Sequence, residues 1–121
     1  MEELSPQVRH QLAQFQQAQQ QAQAIIAQRQ QLEMLIKETE MALQELQKLP
    51  DDAVVYKSVG TILVRVNKQE LQQSLTEEKE ELDLRIKTLA RQQERILERL
   101  EEMRQKLEEA LKGQPKGGAA G

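Results

Sequence analysis

The sequence contains no cysteine and no tryptophan, and has one tyrosine, one phenylalanine and one histidine among its 121 residues. Without cysteine, neither a disulfide framework nor a thiolate metal site can form, and the chain suits a reducing, cytoplasmic setting. With two aromatic side chains and 31% charged residues, it lacks the apolar bulk of an ordinary globular core but has enough for the seams of long helices. No apolar run reaches the length of a bilayer span, and no apolar signal segment opens the chain. The expectation is a soluble, unprocessed chain with no membrane partner.

A concentrated basic footprint is also missing. The formal net charge is −3, and Arg9, Arg104, Lys106 and Lys112 are diluted by Glu101, Glu102, Glu108 and Glu109, which argues against nucleic acid as a partner. The sequence offers no phosphate-cradling glycine loop, no nucleophile beside a base and no cluster of metal ligands. His10, alone near the start of a helix, reads as an exposed side chain. Neither enzymatic activity, cofactor nor metal is expected.

The residues that are present organise two long helices around one short central stretch. Ser5 can cap a helix with Pro6 at its first position, and Pro50 must end that helix near Leu49, which predicts helix over 5–49. Apolar or small residues recur at spacings of three and four: Val8, Leu12, Phe15, Ala18, Ala22, Ile25, Arg29, Leu32, Ile36, Thr39, Leu43 and Leu46. Two successive threes around Phe15 read as a local phase shift in a coiled-coil seam. Between Gln11 and Gln28 the other positions are almost all Gln and Ala without charge, a good helix-forming face. Asn67 can cap a second helix over 68–112, with Glu70 completing a capping box. Its seam reads Leu71, Leu75, Glu78, Leu82, Arg85, Leu89, Gln93, Ile96, Leu100, Met103, Leu107 and Ala110. Gly113 and Pro115 end it, so residues 1–112 form one domain and 113–121 a disordered tail.

Between the helices the hydrophobic period changes from 3.6 to 2. Val54 to Ser58 and Thr61 to Val66 are strand candidates joined through Ser58-Val59-Gly60-Thr61, with Gly60 taking the positive φ, in a hairpin over 53–67. Val54, Val55, Tyr56, Val59, Ile62, Leu63, Val64 and Val66 give this hairpin apolar residues on both faces, and an isolated two-stranded hairpin is marginal in water. No other strand of comparable strength exists in the chain. Its sheet neighbours must come from other chains, so the fold class is mainly α: a long antiparallel two-helix coiled coil joined by a central β-hairpin that assembles into an intermolecular β-barrel.

An antiparallel pair needs facing residues whose numbers add to a constant, and here the constant is about 118 along both seams. Ala18 meets Leu100 and Ala22 meets Ile96, small against large, while Thr39/Glu78 and Gln93 form polar layers that fix register. At ~1.5 Å per residue each arm is on the order of 60 Å long. Its outer end carries Leu4, Val8, Leu12 and Phe15 on one helix and Met103, Leu107 and Leu111 on the other, with no further seam beyond them. Helix ends open at low cost, so these residues are either the last layers of a coiled coil or a surface shown to a partner.

Leu49-Pro50-Asp51-Asp52-Ala53, then Tyr56-Lys57, Val59-Gly60-Thr61 and Leu63-Val64 between helices of this length, resembles the β subunits of the archaeal prefoldin family. Pro6-Gln7-Val8 and Gln11-Leu12 through Gln20-Gln21 extend the likeness to the first helix. A single hairpin is what separates the β type from the α type of that family. The resemblance implies a hexamer of two α and four β subunits with a double β-barrel body and projecting arms. It implies an ATP-independent holdase that captures non-native polypeptides between arm tips and passes them to a group II chaperonin. On that likeness Val8, Leu12, Phe15, Met103 and Leu107 are the substrate-contacting positions, with Leu4 and Leu111 added by extrapolation. The alternative is a coiled-coil scaffold or spacer whose tip docks one specific folded partner.

Overall fold

The computed structural model describes residues 4–113. Its elements are helix α1 (Pro6–Gln47), strand β1 (Val55–Val59), strand β2 (Ile62–Val66) and helix α2 (Lys68–Lys112). Of the expected tail over 113–121, Gly113 is described, its amide donating to the Glu109 carbonyl at 3.0 Å, and residues 114–121 lie outside the described residues. By compactness the chain forms two units: Arg29 to Thr88, and the chain up to Gln28 together with the chain from Leu89 on.

The helix starts are capped as their sequences dictate. Ser5 Oγ accepts the Val8 amide at 3.1 Å, and the Ser5 carbonyl accepts the Arg9 amide at 2.9 Å. Asn67 Oδ1 accepts the Gln69 amide at 2.7 Å, but Glu70 does not return to the Asn67 amide, so half of the expected capping box is absent. α1 ends two residues before the expected Leu49. Its last turn tightens, with the Lys48 and Leu49 amides on the Glu45 and Leu46 carbonyls, three residues back, as the chain turns into Pro50.

In the unit of the chain's two outer segments, Ala18, Ala22 and Ile96 form a buried cluster against which Ile25, Leu100 and Met103 pack. Small residues of α1 thus accommodate large ones of α2, in the expected register. In the other unit Ile36, Leu46, Val55 and Leu82 are buried. Every expected α1 seam position from Val8 to Leu46 is buried or half-buried.

The α2 seam departs from expectation at two positions. Glu78 and Arg85 are exposed, and Lys79 and Ile86 are half-buried in their place. Seven residues separate Leu75 from Leu82 and again Leu82 from Leu89, so three-then-four and four-then-three both fit, and the structure takes the second. It brings in apolar Ile86 and leaves two charges in water. The Thr39/Glu78 layer is therefore not formed. The Thr39 hydroxyl donates to the Leu35 carbonyl of its own helix at 2.9 Å, and Lys79 pairs with Glu40 at 3.7 Å.

β1 and β2 are antiparallel, with Val55 opposite Val66, Lys57 opposite Val64 and Val59 opposite Ile62. The Val59–Ile62 pairing moves the turn one residue beyond its expected place, to Val59-Gly60-Thr61-Ile62. Gly60 has φ +59° and no other described residue has positive φ, the pattern of a type II′ turn, whose backbone twist matches the strands it joins.

Candidate functional site

Two surfaces carry the expected functional residues, one in each unit. The first is the hairpin. Directly opposed residues of an antiparallel pair share a face. One face therefore carries Val55, Val59, Ile62, Val64 and Val66 with Lys57, and the other carries Tyr56, Ser58, Leu63 and Arg65. The apolar face is covered only at its base: Val55 is 7% exposed and Val66 half-buried, while Val59, Ile62 and Val64 lie open toward the turn. Leu63, on the opposite face, is 71% exposed, and Val54, Tyr56 and Gly60 are exposed as well. A hairpin that leaves this many apolar side chains in water has two unpaired edges and the composition of an interface.

The hairpin base is fixed by a residue that the sequence reading passed over. Lys68, the first residue of α2, is only 6% exposed. Its ammonium donates to the Leu49 carbonyl at 2.7 Å and to Asp51 Oδ1 at 3.4 Å. A cation here serves a carbonyl just past the C-terminus of α1, where the helix dipole favours positive charge. Nothing in its neighbours' periodicity signals this, because the contact spans nineteen positions of sequence.

The second surface is the free end of the two helices. Val8 is 5% exposed, Leu4, Leu12, Phe15, Met103 and Leu107 are half-buried, and Leu111 is exposed. In this closed arrangement six of the seven expected contact residues are buried or half-buried. Beside them lies an open groove of about 360 Å³ with Met103 and Leu107 in its wall, flanked by Arg99, Glu102 and Lys106, and reached from α1 by Gln11 and Gln14. Arg99, Glu102 and Lys106 make no hydrogen bond or ion pair among the described residues. On the neighbouring face of α2, by contrast, Arg104 is bonded to both Glu101 and Glu108 at 2.8 Å. Those bonds hold the Glu101 carboxyl below its usual range.

Gln11 was also missed. It stands three residues after Val8 and four before Phe15, so taking it in place of Leu12 makes the α1 seam an unbroken three-four repeat and removes the apparent phase shift. The signal was present but carried by a polar residue beside a leucine. His10 is exposed, and among the described residues no group of acidic or histidine side chains is placed to hold a metal and no helix is long and apolar enough to cross a membrane.

Paired helix ends at one surface and an unsatisfied apolar hairpin at the other define a coiled-coil subunit of a larger assembly. The chain belongs to the prefoldin subunit family, whose model matches residues 9–114. It is 53% identical over 114 residues to a prefoldin subunit beta of Archaeoglobus fulgidus, covering 94% of this chain and 98% of that one. It is 52% identical over 118 residues to that of Methanothrix thermoacetophila, covering 96% and 98%. The crystal structure of the prefoldin beta subunit from Thermococcus strain KS-1 is similar, with a TM-score of 0.81 and 39% identity over 92% of this chain and 97% of that one. Membership supports a chaperone role and assembly with other prefoldin subunits.

Proposed function

We propose that this chain is the β-type subunit of a cytoplasmic, ATP-independent holdase, assembled with α-type subunits as two α and four β chains. Its helix ends capture non-native polypeptides and pass them to a group II chaperonin. The observation that carries the reading is the concentration of apolar side chains, from Leu4 to Phe15 and from Met103 to Leu111, where the start of α1 and the end of α2 line an open groove. Hairpin residues Val54, Val55, Tyr56, Val59, Gly60, Ile62, Leu63, Val64 and Val66 serve assembly.

One tip offers at most a few hundred Å² of apolar surface, worth little at ~25 cal/mol per Å² once ordering costs are met. Several tips on one body raise the effective concentration and convert weak contacts into reversible, sequence-tolerant capture. Release then needs competition for the same surface and no nucleotide.

The test is aggregation of a chemically unfolded protein, followed by light scattering in the presence of the assembled complex. Deleting residues 1–12 and 108–121 should abolish suppression while leaving the mass of the complex unchanged apart from the deletion. Full activity in a truncated, still assembled complex would overturn the reading. Indifference of the intact complex to several unfolded proteins would favour a scaffold that docks one folded partner.

A further inference from the structure

Gln11 occupies a seam position in the last layers of the helix pair, on the same groove as Met103 and Leu107, and its Oε1 is buried with no hydrogen-bond partner among the described residues. A polar side chain in such a position costs stability, and an unpaired buried amide oxygen costs more. The Thr39 hydroxyl, also on the seam, meets its need by donating to the Leu35 carbonyl of its own helix. Gln11 has no such internal solution.

We propose that Gln11 is a polar trigger at the tip, an acceptor that is frustrated when the tip is closed and satisfied by a backbone N–H of an extended polypeptide entering the groove. The inference rests on the capture of non-native chains proposed above and adds the atom that reads them. Opening of this outermost layer, together with a turn of the broad last torsion of the glutamine, presents Oε1 to the groove. Met103 and Leu107 then receive an apolar side chain of the same segment. Every non-proline residue of an extended chain offers an N–H, so one acceptor adds affinity for unfolded backbone without reading sequence. A folded protein has already committed its amides to its own helices and sheets. The unpaired Arg99, Glu102 and Lys106 on the flanks of the groove leave room for either sign of charge on the incoming segment.

The arrangement has a signature that packing alone does not produce: removing the acceptor should stabilise the free tip and weaken capture together. The experiment uses the complex assembled with its α-type subunits, carrying either the natural β chain or Gln11→Met. Hydrogen exchange of the amides between Val8 and Phe15 reports tip opening. Anisotropy of a fluorescent extended apolar peptide reports capture, with single backbone amides of the peptide N-methylated in turn. Gln11→Met should slow exchange at the tip and weaken the unmodified peptide by ~3–10-fold. Methylation at the engaged position should weaken binding to the natural complex by a similar factor and leave binding to the variant unchanged.

Equal or tighter binding by Gln11→Met overturns the proposal, as does a methylation effect of the same size in both complexes. Should the variant fail to assemble, the methylation scan on the natural complex decides alone, and affinity unchanged at every position overturns it. If the natural complex binds no peptide at all, the capture reading itself falls, and this inference with it.

Discussion

The Lys68 ammonium lies 2.7 Å from the Leu49 carbonyl, joining the first residue of α2 to the last residue before the proline that ends α1. The bond is charge-assisted and its lysine side chain is almost fully buried, whereas the companion Asp51 carboxylate is 85% exposed and 3.4 Å away. A cation at the start of α2 is poorly placed for that helix's own dipole, so its stabilisation must come from the Leu49 carbonyl just past the end of α1. Lys68→Ala should therefore destabilise the chain by ~1.5–3 kcal/mol. Lys68→Met, which keeps the aliphatic stem, should reproduce most of that loss, and Asp51→Asn should cost no more than ~0.5 kcal/mol. Urea unfolding at fixed chain concentration measures all three. Wild-type stability in Lys68→Met would assign the role to packing of the stem.

This contact also marks where sequence reasoning stopped. The α1 seam was legible because Ala18, Ala22, Ile25 and Ile36 repeat at helical spacing and few other apolar residues compete for the face. The α2 seam was ambiguous between Leu75 and Leu89, where the two phases differ only in whether Glu78 and Arg85 or Lys79 and Ile86 point inward. Ile86 was the deciding clue. Periodicity says nothing of a buried lysine whose partner lies across a hairpin, and a glutamine at position 11 was hidden by the leucine beside it. The turn was displaced by one residue because Gly60 suits more than one turn position, and only strand pairing fixes which.

Packing at the Ala22–Ile96 layer should respond to volume. Both residues are buried in one cluster with Ala18. Ala22→Leu overfills the layer and should cost ~1–3 kcal/mol, and Ile96→Ala opens a cavity and should cost ~2–5 kcal/mol. Because the two sites share the same space, the double variant should be more stable than the sum predicts by at least ~0.5 kcal/mol. Strict additivity in chemical denaturation would mean that these residues do not face each other.

The outer part of α2 should loosen in acid. Glu101 is held ionised by hydrogen bonds from Arg104, so its pKa lies below the ordinary value of 4.5. A carboxylate with a lowered folded-state pKa contributes stability that is fully present above its unfolded value and is lost as pH falls through the folded one. Exchange of amides around Glu101 to Glu108, corrected for intrinsic pH dependence, should therefore stay constant from neutral pH down to about that value and rise below it. Arg104→Ala, which removes the arginine's bonds to both Glu101 and Glu108, should flatten this dependence. The same acid response in the variant would assign it to other carboxylates.

Assembly through the hairpin should fail when charge is placed on its open apolar face. Ile62 is 59% exposed and pairs with Val59, and both sit with Val64 on the open part of the face whose base, Val55 and Val66, is covered. Within the single chain, Ile62→Asp exposes nothing new and breaks no hydrogen bond of the ladder, so helix content should be unchanged. In an intermolecular barrel the same carboxylate would be buried without a partner, a cost of several kcal/mol at each copy. Light scattering coupled to size exclusion should then show the mass collapse toward smaller species while circular dichroism holds. Thr61→Asp, one residue away at the turn, should leave the mass intact, because Thr61 lies outside the paired strands. If Ile62→Asp assembles normally, this face is not the interface, and the search moves to the other face, where Leu63 is the most exposed large apolar residue of the hairpin.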